Sequence, residues 1–288
     1  MRALKGKTAL ITGASRGLGR ELARALANRG MKLALAARSV DDLAALQLEL
    51  EGEGAELLCV PTDVADRASL EALVEQVSKR FGPIALLINN AALEQGARYP
   101  EYPRDGLQQI LDVNLRAPML LTHMLLPQMI ARGEGHVVNI GSVAGLVGVA
   151  YNEAYAATKH GLVGFTRSLA ASAEGEGWPI GFSCILPGFV GSTGMYEDMK
   201  RQTGFAAPWF SGVSSPARVV AATLRAIERD RLEVVVSVAP FRLLAIFLLL
   251  CPSATKWALR LSGSIAWFKA VASARRSERQ ANDRSRAP

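Results

Sequence analysis

The chain has 288 residues, of which 50% are apolar and 20% charged, enough to build one large domain around a sizeable core and too apolar for a disordered chain. Its three cysteines, Cys59, Cys184 and Cys251, are scattered, and so are His123, His136 and His160, so neither a disulfide framework nor a metal site is expected. The net charge of +7 sits wholly in residues 240–288, which hold nine Lys and Arg against two Asp and Glu, so the body is neutral and nucleic-acid binding is poorly supported.

The opening "MRALKGKTALIT" is basic, but its apolar run is too short for the core of a signal peptide, and a cytoplasmic protein is expected. Apolar runs then recur at 8–12, 32–37, 56–60, 84–88, 136–141, 180–186 and 232–238, with amphipathic stretches between them. Buried strands alternating with helices predict a Rossmann-type α/β fold: a doubly wound, seven-stranded parallel sheet, here as residues 1–239. Ligands of such sheets lie beyond the carboxyl ends of the strands.

Between the first run and the first helical pattern stands "TGASRGLG", with Gly13, Gly17 and Gly19. Glycines at a strand-to-helix turn let backbone N–H groups approach a ligand, and the helix start favours an anion, so a phosphate is the expected occupant. The second run ends in Ala37 and Arg38, where an acidic residue would suit the ribose hydroxyl of NAD. Arg38 and Arg16 instead suit a 2′-phosphate, which favours NADP over NAD. Asp63, in "PTDVAD", is expected either at the adenine amino group or as a helix N-cap.

Further along, Tyr155 and Lys159 are four apart on a helical pattern and so share a face. An ammonium beside a phenol favours the phenolate and lowers its pKa, which turns a poor acid–base group into a useful one. Ser142, at the end of the preceding strand, can donate to a substrate oxygen.

With "TGASRGLG", "NNAA", "DVNLRAP", Ser142 followed by Y-x-x-x-K, and "PGFVGST" in this order, the chain resembles the short-chain dehydrogenase/reductase family from about residue 5 to 238. The resemblance implies hydride transfer between a nicotinamide and a carbonyl or alcohol carbon, with Asn114, Ser142, Tyr155 and Lys159 as the catalytic set. It implies that Tyr155 is general acid or base, Ser142 polarises the substrate oxygen, Lys159 also holds the nicotinamide ribose, and Asn114 keeps a relay water. Cofactor contacts are then expected from Gly13, Ser15, Arg16, Gly17, Leu18, Gly19, Arg38, Asp63, Val64, Asn90, Ala91, Tyr155, Lys159, Pro187, Gly188, Val190 and Ser192. Ala92 departs from the usual glycine and Gly191 loosens the proline–glycine turn, without touching a reacting group. Many relatives are dimers or tetramers, so a homodimer or homotetramer is expected. An NAD-linked alcohol dehydrogenase and a non-catalytic nucleotide sensor are the alternatives.

Residues 194–212 fall where this family keeps its substrate lid, with Met195, Tyr196, Met199, Phe205, Trp209 and Phe210 as its apolar surface. Beyond the last strand, residues 240–270 read as an apolar helical extension and 271–288 as a basic, disordered tail. The nine-residue run Leu243 to Cys251 is too short to span a membrane. Trp257, Trp267 and Phe268 interleaved with Lys256, Arg260 and Lys269 suit a helix lying in a membrane surface. The competing reading is a helix in a dimer interface or over the substrate cleft. A lipophilic substrate is expected: a fatty-acyl, sphingoid, steroid or retinoid-like carbonyl.

Overall fold

A computed structural model of the protein describes residues 4–208, 211–237 and 241–286. Seven strands form one parallel sheet: β1 (Thr8–Thr12), β2 (Lys32–Ala37), β3 (Leu57–Pro61), β4 (Ile84–Asn89), β5 (Gly135–Ile140), β6 (Ile180–Pro187) and β9 (Glu233–Val236). A two-stranded ribbon, β7 (Phe189–Val190) and β8 (Val213–Ser214), stands apart from it. The order β3-β2-β1-β4-β5-β6-β9 reverses direction between β1 and β4, so a crevice opens there at the carboxyl ends.

Helices cover both faces because the strands are apolar on both. On one side α1 (Gly17–Ala27), α2 (Val40–Gly52) and α8 (Pro216–Arg229) bury Leu22, Leu26, Leu43, Leu46, Val219 and Ile227. On the other, α3 (Arg67–Phe81), α5 (Ala117–Arg132) and α6 (Glu153–Glu176) bury Leu70, Leu73, Leu121, Leu125 and Ala173. The short α4 (Arg104–Leu111) runs into α5 through one wide π turn, Asp112–Arg116. Asp66, not Asp63, caps α3; Asp63 instead accepts from the Ala65 N–H at 3.0 Å.

The lid helix α7 (Gly194–Thr203) follows β7, with Met199 buried and Met195 exposed; Trp209 and Phe210 lie outside the described residues. After β9 the extension forms α9 (Phe241–Leu250), α10 (Pro252–Leu261) and α11 (Ser264–Arg286). The expected disordered tail is therefore helical as far as Arg286. Where that segment begins, Arg275 pairs with Glu94 and Arg276 with Glu101, both at 2.7 Å. Trp267 and Phe268 also depart from the expected membrane face. The Trp267 ring packs edge-on against Phe189, 5.7 Å between centroids, and Phe268 lines the central cleft. No described helix is long and apolar enough to cross a membrane.

Candidate active site

The crevice at the switch point continues into a cleft of about 900 Å³ whose wall includes residues from both ends of the chain. At the β1 end the backbone shapes it. Gly13 takes φ +63°, and a Cβ there would stand 2.8 Å from the Ala91 Cα; a Cβ on Gly19 would stand 2.1 Å from the Gly13 carbonyl oxygen. The first and third glycines thus bring α1 against the turn. Asn90 braces it, its Nδ2 donating to the carbonyls of Thr12 and Gly13, both at 3.0 Å. The first turn of α1 has no side-chain cap and no acidic residue, which leaves its N–H groups and positive dipole end for an anion. The residues present therefore fit a dinucleotide phosphate.

Gly13, Ser15, Arg16, Gly17, Leu18, Arg38, Asp63, Val64, Asn90, Ala91, Pro187, Gly188 and Val190 all line the cleft. Arg38 is exposed and makes no ion pair among the described residues. Arg16 is already engaged: its guanidinium donates to Asp198 of α7 at 2.6 Å, clasping the glycine turn to the lid. Gly19 supports the turn from behind and does not line the cleft. Ser192 departs from expectation as well. It is exposed at φ +64° with its N–H donating to Glu197, and that bend brings the next residue, Thr193, to the cleft wall.

At the other end Ser142, Tyr155 and Lys159 line the same cleft. Ser142 follows β5 and Tyr155 and Lys159 lie one turn apart on α6, so the expected face is formed. Lys159 is buried, and its Nζ donates to the Ile140 carbonyl at 2.9 Å. Burial pulls its pKa down to about 8. Its ammonium stands 5.6 Å from the centre of the Tyr155 ring. It does not depress the phenol as expected: burial pushes Tyr155 up to about 12, the hydroxyl of Ser142 acts the other way, and the Glu94 carboxylate adds to the rise. Desolvation disfavours the charged phenolate and is the largest cause of the rise.

Asn114 does not reach the cleft. Wholly buried in the π turn, it accepts from the Leu93 N–H at 2.7 Å and donates to the Leu93 carbonyl at 2.8 Å and to Thr158 at 3.2 Å. Its side chain ties the loop after β4 to α6. Glu94 and Arg275, cleft residues that escaped the sequence reading, form a buried ion pair at 2.7 Å. No cluster able to hold a metal occurs among the described residues.

Residues 7–204 match the family model described as short chain dehydrogenase. The chain belongs to the short-chain dehydrogenase family. Like other members, it is an NAD(P)-dependent oxidoreductase. Among similar proteins is a ketoacyl reductase, HetN, of Nostoc sp., 40% identical over 240 residues that cover 83% of this chain and 82% of that one. A short-chain dehydrogenase/reductase from Burkholderia phymatum, solved with NAD, is 31% identical with a TM-score of 0.74, covering 82% of this chain and 90% of that one. A short-chain dehydrogenase from Sphingobium yanoikuyae, solved with NADPH, is 28% identical with a TM-score of 0.73, covering 88% and 95%.

Proposed function

We propose that this short-chain dehydrogenase uses NADPH to reduce a lipophilic ketone, with Ser142, Tyr155 and Lys159 as the reacting set and Asn114 positioning the wall beside them. The observation that carries the reading is a single cleft with Ser142, Tyr155 and Lys159 at one end and the glycine turn, Arg16 and Arg38 at the other. The nicotinamide, when bound, supplies the hydride. Tyr155, lining the cleft with Ser142, gives its proton to the oxygen of the carbonyl being reduced. Ser142 donates a hydrogen bond to the same oxygen. Lys159, whose Nζ now donates to the Ile140 carbonyl, would hold the nicotinamide ribose. Asn114 fixes the wall between the loop after β4 and α6, and a relay water there meets its main chain, because its amide is committed to Leu93 and Thr158.

Arg38, exposed at the end of β2, supports preference for a 2′-phosphate, with Arg16 released from Asp198 as its second partner. The Nostoc relative is named a ketoacyl reductase, which among lipophilic carbonyls supports a 3-oxoacyl thioester. Peripheral membrane contact belongs to the same reading. Ile246, Phe247, Leu250, Trp257 and Leu261 are exposed on α9 and α10, with Lys256 and Arg260 exposed beside them. Assembly as a homodimer or homotetramer is proposed on the family resemblance.

The test is fluorescence titration of the purified protein with NADPH and NADH, followed by turnover on 3-oxoacyl thioesters of increasing length. Tighter NADPH binding with turnover that grows with chain length is expected. Equal affinity for NADH, with oxidation of alcohols faster than reduction of ketones, overturns the reading in favour of an alcohol dehydrogenase.

A further inference from the structure

The extension enters the substrate end of the cleft along helical stripes. On α11 Ser264, Phe268, Val271 and Arg275 face the cleft at steps of three and four; from α10 Thr255, Ala258 and Leu259 line it, with Ser262 just past that helix, and Leu248 joins them from α9. Such spacing puts each set on one side of its helix. The opposite sides carry Trp257 and Leu261 outward. One end of α11 is pinned to the chain leaving the lid: the Trp267 indole N–H donates to the Ala206 carbonyl at 2.9 Å.

Further along the same helix Arg275 grips the body. Its side chain is 8% exposed and that of Glu94 11%, and the guanidinium donates through both terminal nitrogens, at 2.9 and 2.7 Å. Glu94 also accepts from the Gly96 N–H at 3.0 Å and from Asn152 Nδ2 at 2.8 Å. Asn152 immediately precedes α6, three residues before Tyr155. A buried ion pair returns little net stability over an apolar contact, since both charges must be desolvated, but its two-pronged geometry admits one register. Rotating α11 about its axis would break the fork and turn Phe268 and Val271 out of the cleft. The fork thus links the outer wall of the cleft to the helix that carries the reacting phenol.

We infer that Arg275 is a positioning residue that seats the C-terminal extension as the outer wall of the substrate end, and that Leu248, Leu259, Phe268 and Val271, so aligned, hold the hydrocarbon chain of the substrate. This rests on the proposed reduction of a lipophilic ketone. It adds which part of the chain selects for length.

The experiment compares wild type, Arg275→Ala, the swap Glu94→Arg with Arg275→Glu, and Leu259→Trp, using 3-oxobutanoyl and 3-oxododecanoyl N-acetylcysteamine thioesters with NADPH. The kcat/KM ratio of long to short substrate falls about tenfold or more in Arg275→Ala and Leu259→Trp, through KM of the long substrate, as expected for several methylenes losing their contacts. The swap recovers part of the ratio. A ratio unchanged in both single variants overturns the inference, even where total activity drops, because general structural damage lowers both substrates alike. Quenching of tryptophan fluorescence by a brominated long-chain acid reads the same wall without turnover. Weaker quenching in Arg275→Ala than in wild type supports the inference and equal quenching overturns it. A wild type that binds the brominated acid but reduces neither thioester counts against the proposed function alone.

Discussion

At the glycine turn the backbone shapes the cleft, whereas at the other end the side chains of α7, α9, α10 and α11 do. At the first end atoms already touch: a Cβ on Gly13 would crowd Ala91, and one on Gly19 would crowd the Gly13 carbonyl. The second is assembled from separate helices, tied by side-chain contacts such as Trp267 to Ala206 beside the lid and Arg275 and Arg276 to Glu94 and Glu101 of the body. A rigid end suits a ligand that never varies, and an assembled end suits one whose size must be chosen. Between them stands Tyr155, fixed by α6 and belonging to both.

That division can be broken most sharply at the seam. Tyr155→Phe is expected to lower kcat about 10²- to 10⁴-fold while dinucleotide affinity stays as it was. Steady-state rates and fluorescence titration on one preparation check this, and a parallel loss of binding would mean the two ends are not separable. At the rigid end, Gly19→Ala forces a carbon to within 2.1 Å of the Gly13 carbonyl oxygen. It should cost about 1–3 kcal/mol of stability and weaken dinucleotide binding without altering chain-length preference, read by thermal melting and by the thioester pair. Arg38→Ala should raise the Kd for NADPH about tenfold, as expected for one charge-assisted contact, and leave NADH unchanged.

The comparison extends to pH dependence. Lys159 is held at about 8 against an ordinary 10.5, so between those values the unfolded chain binds a proton that the folded chain does not. Stability from this group therefore rises with pH across that window. Denaturant titrations at its two ends should show the rise in wild type and a flatter response in Lys159→Met. A fall with pH in wild type relative to the variant would place the ammonium in a stabilising environment instead.

Much of the rigid end was legible in the sequence, since its information is local. The apolar runs at 8–12 and 32–37 are the strands β1 and β2 residue for residue, and the glycine spacing says where a ligand can approach. Ser142, Tyr155 and Lys159 were legible for the same reason, as a strand end and one helical turn. Where the reading missed, long-range geometry decided. Ser192 and Thr193 differ by one residue, and only the positive φ of Ser192 settles which of them faces the cleft. Trp267 and Phe268 fit a membrane-facing stripe by spacing alone, yet the lid lies against that side of α11. The pKa of Tyr155 followed from how much protein surrounds it, which no spacing encodes.

Glu94 and Arg275 are 181 residues apart. During synthesis the strand that leads to Glu94, its neighbours and even the last strand of the sheet emerge before Arg275 does, and domains fold broadly in that order. For that interval the carboxylate lies open to water beside the nascent catalytic helix, and the oily side of α11 has yet to arrive. The growing protein thus holds every residue of its nucleotide end before the outer wall of the cleft has been made.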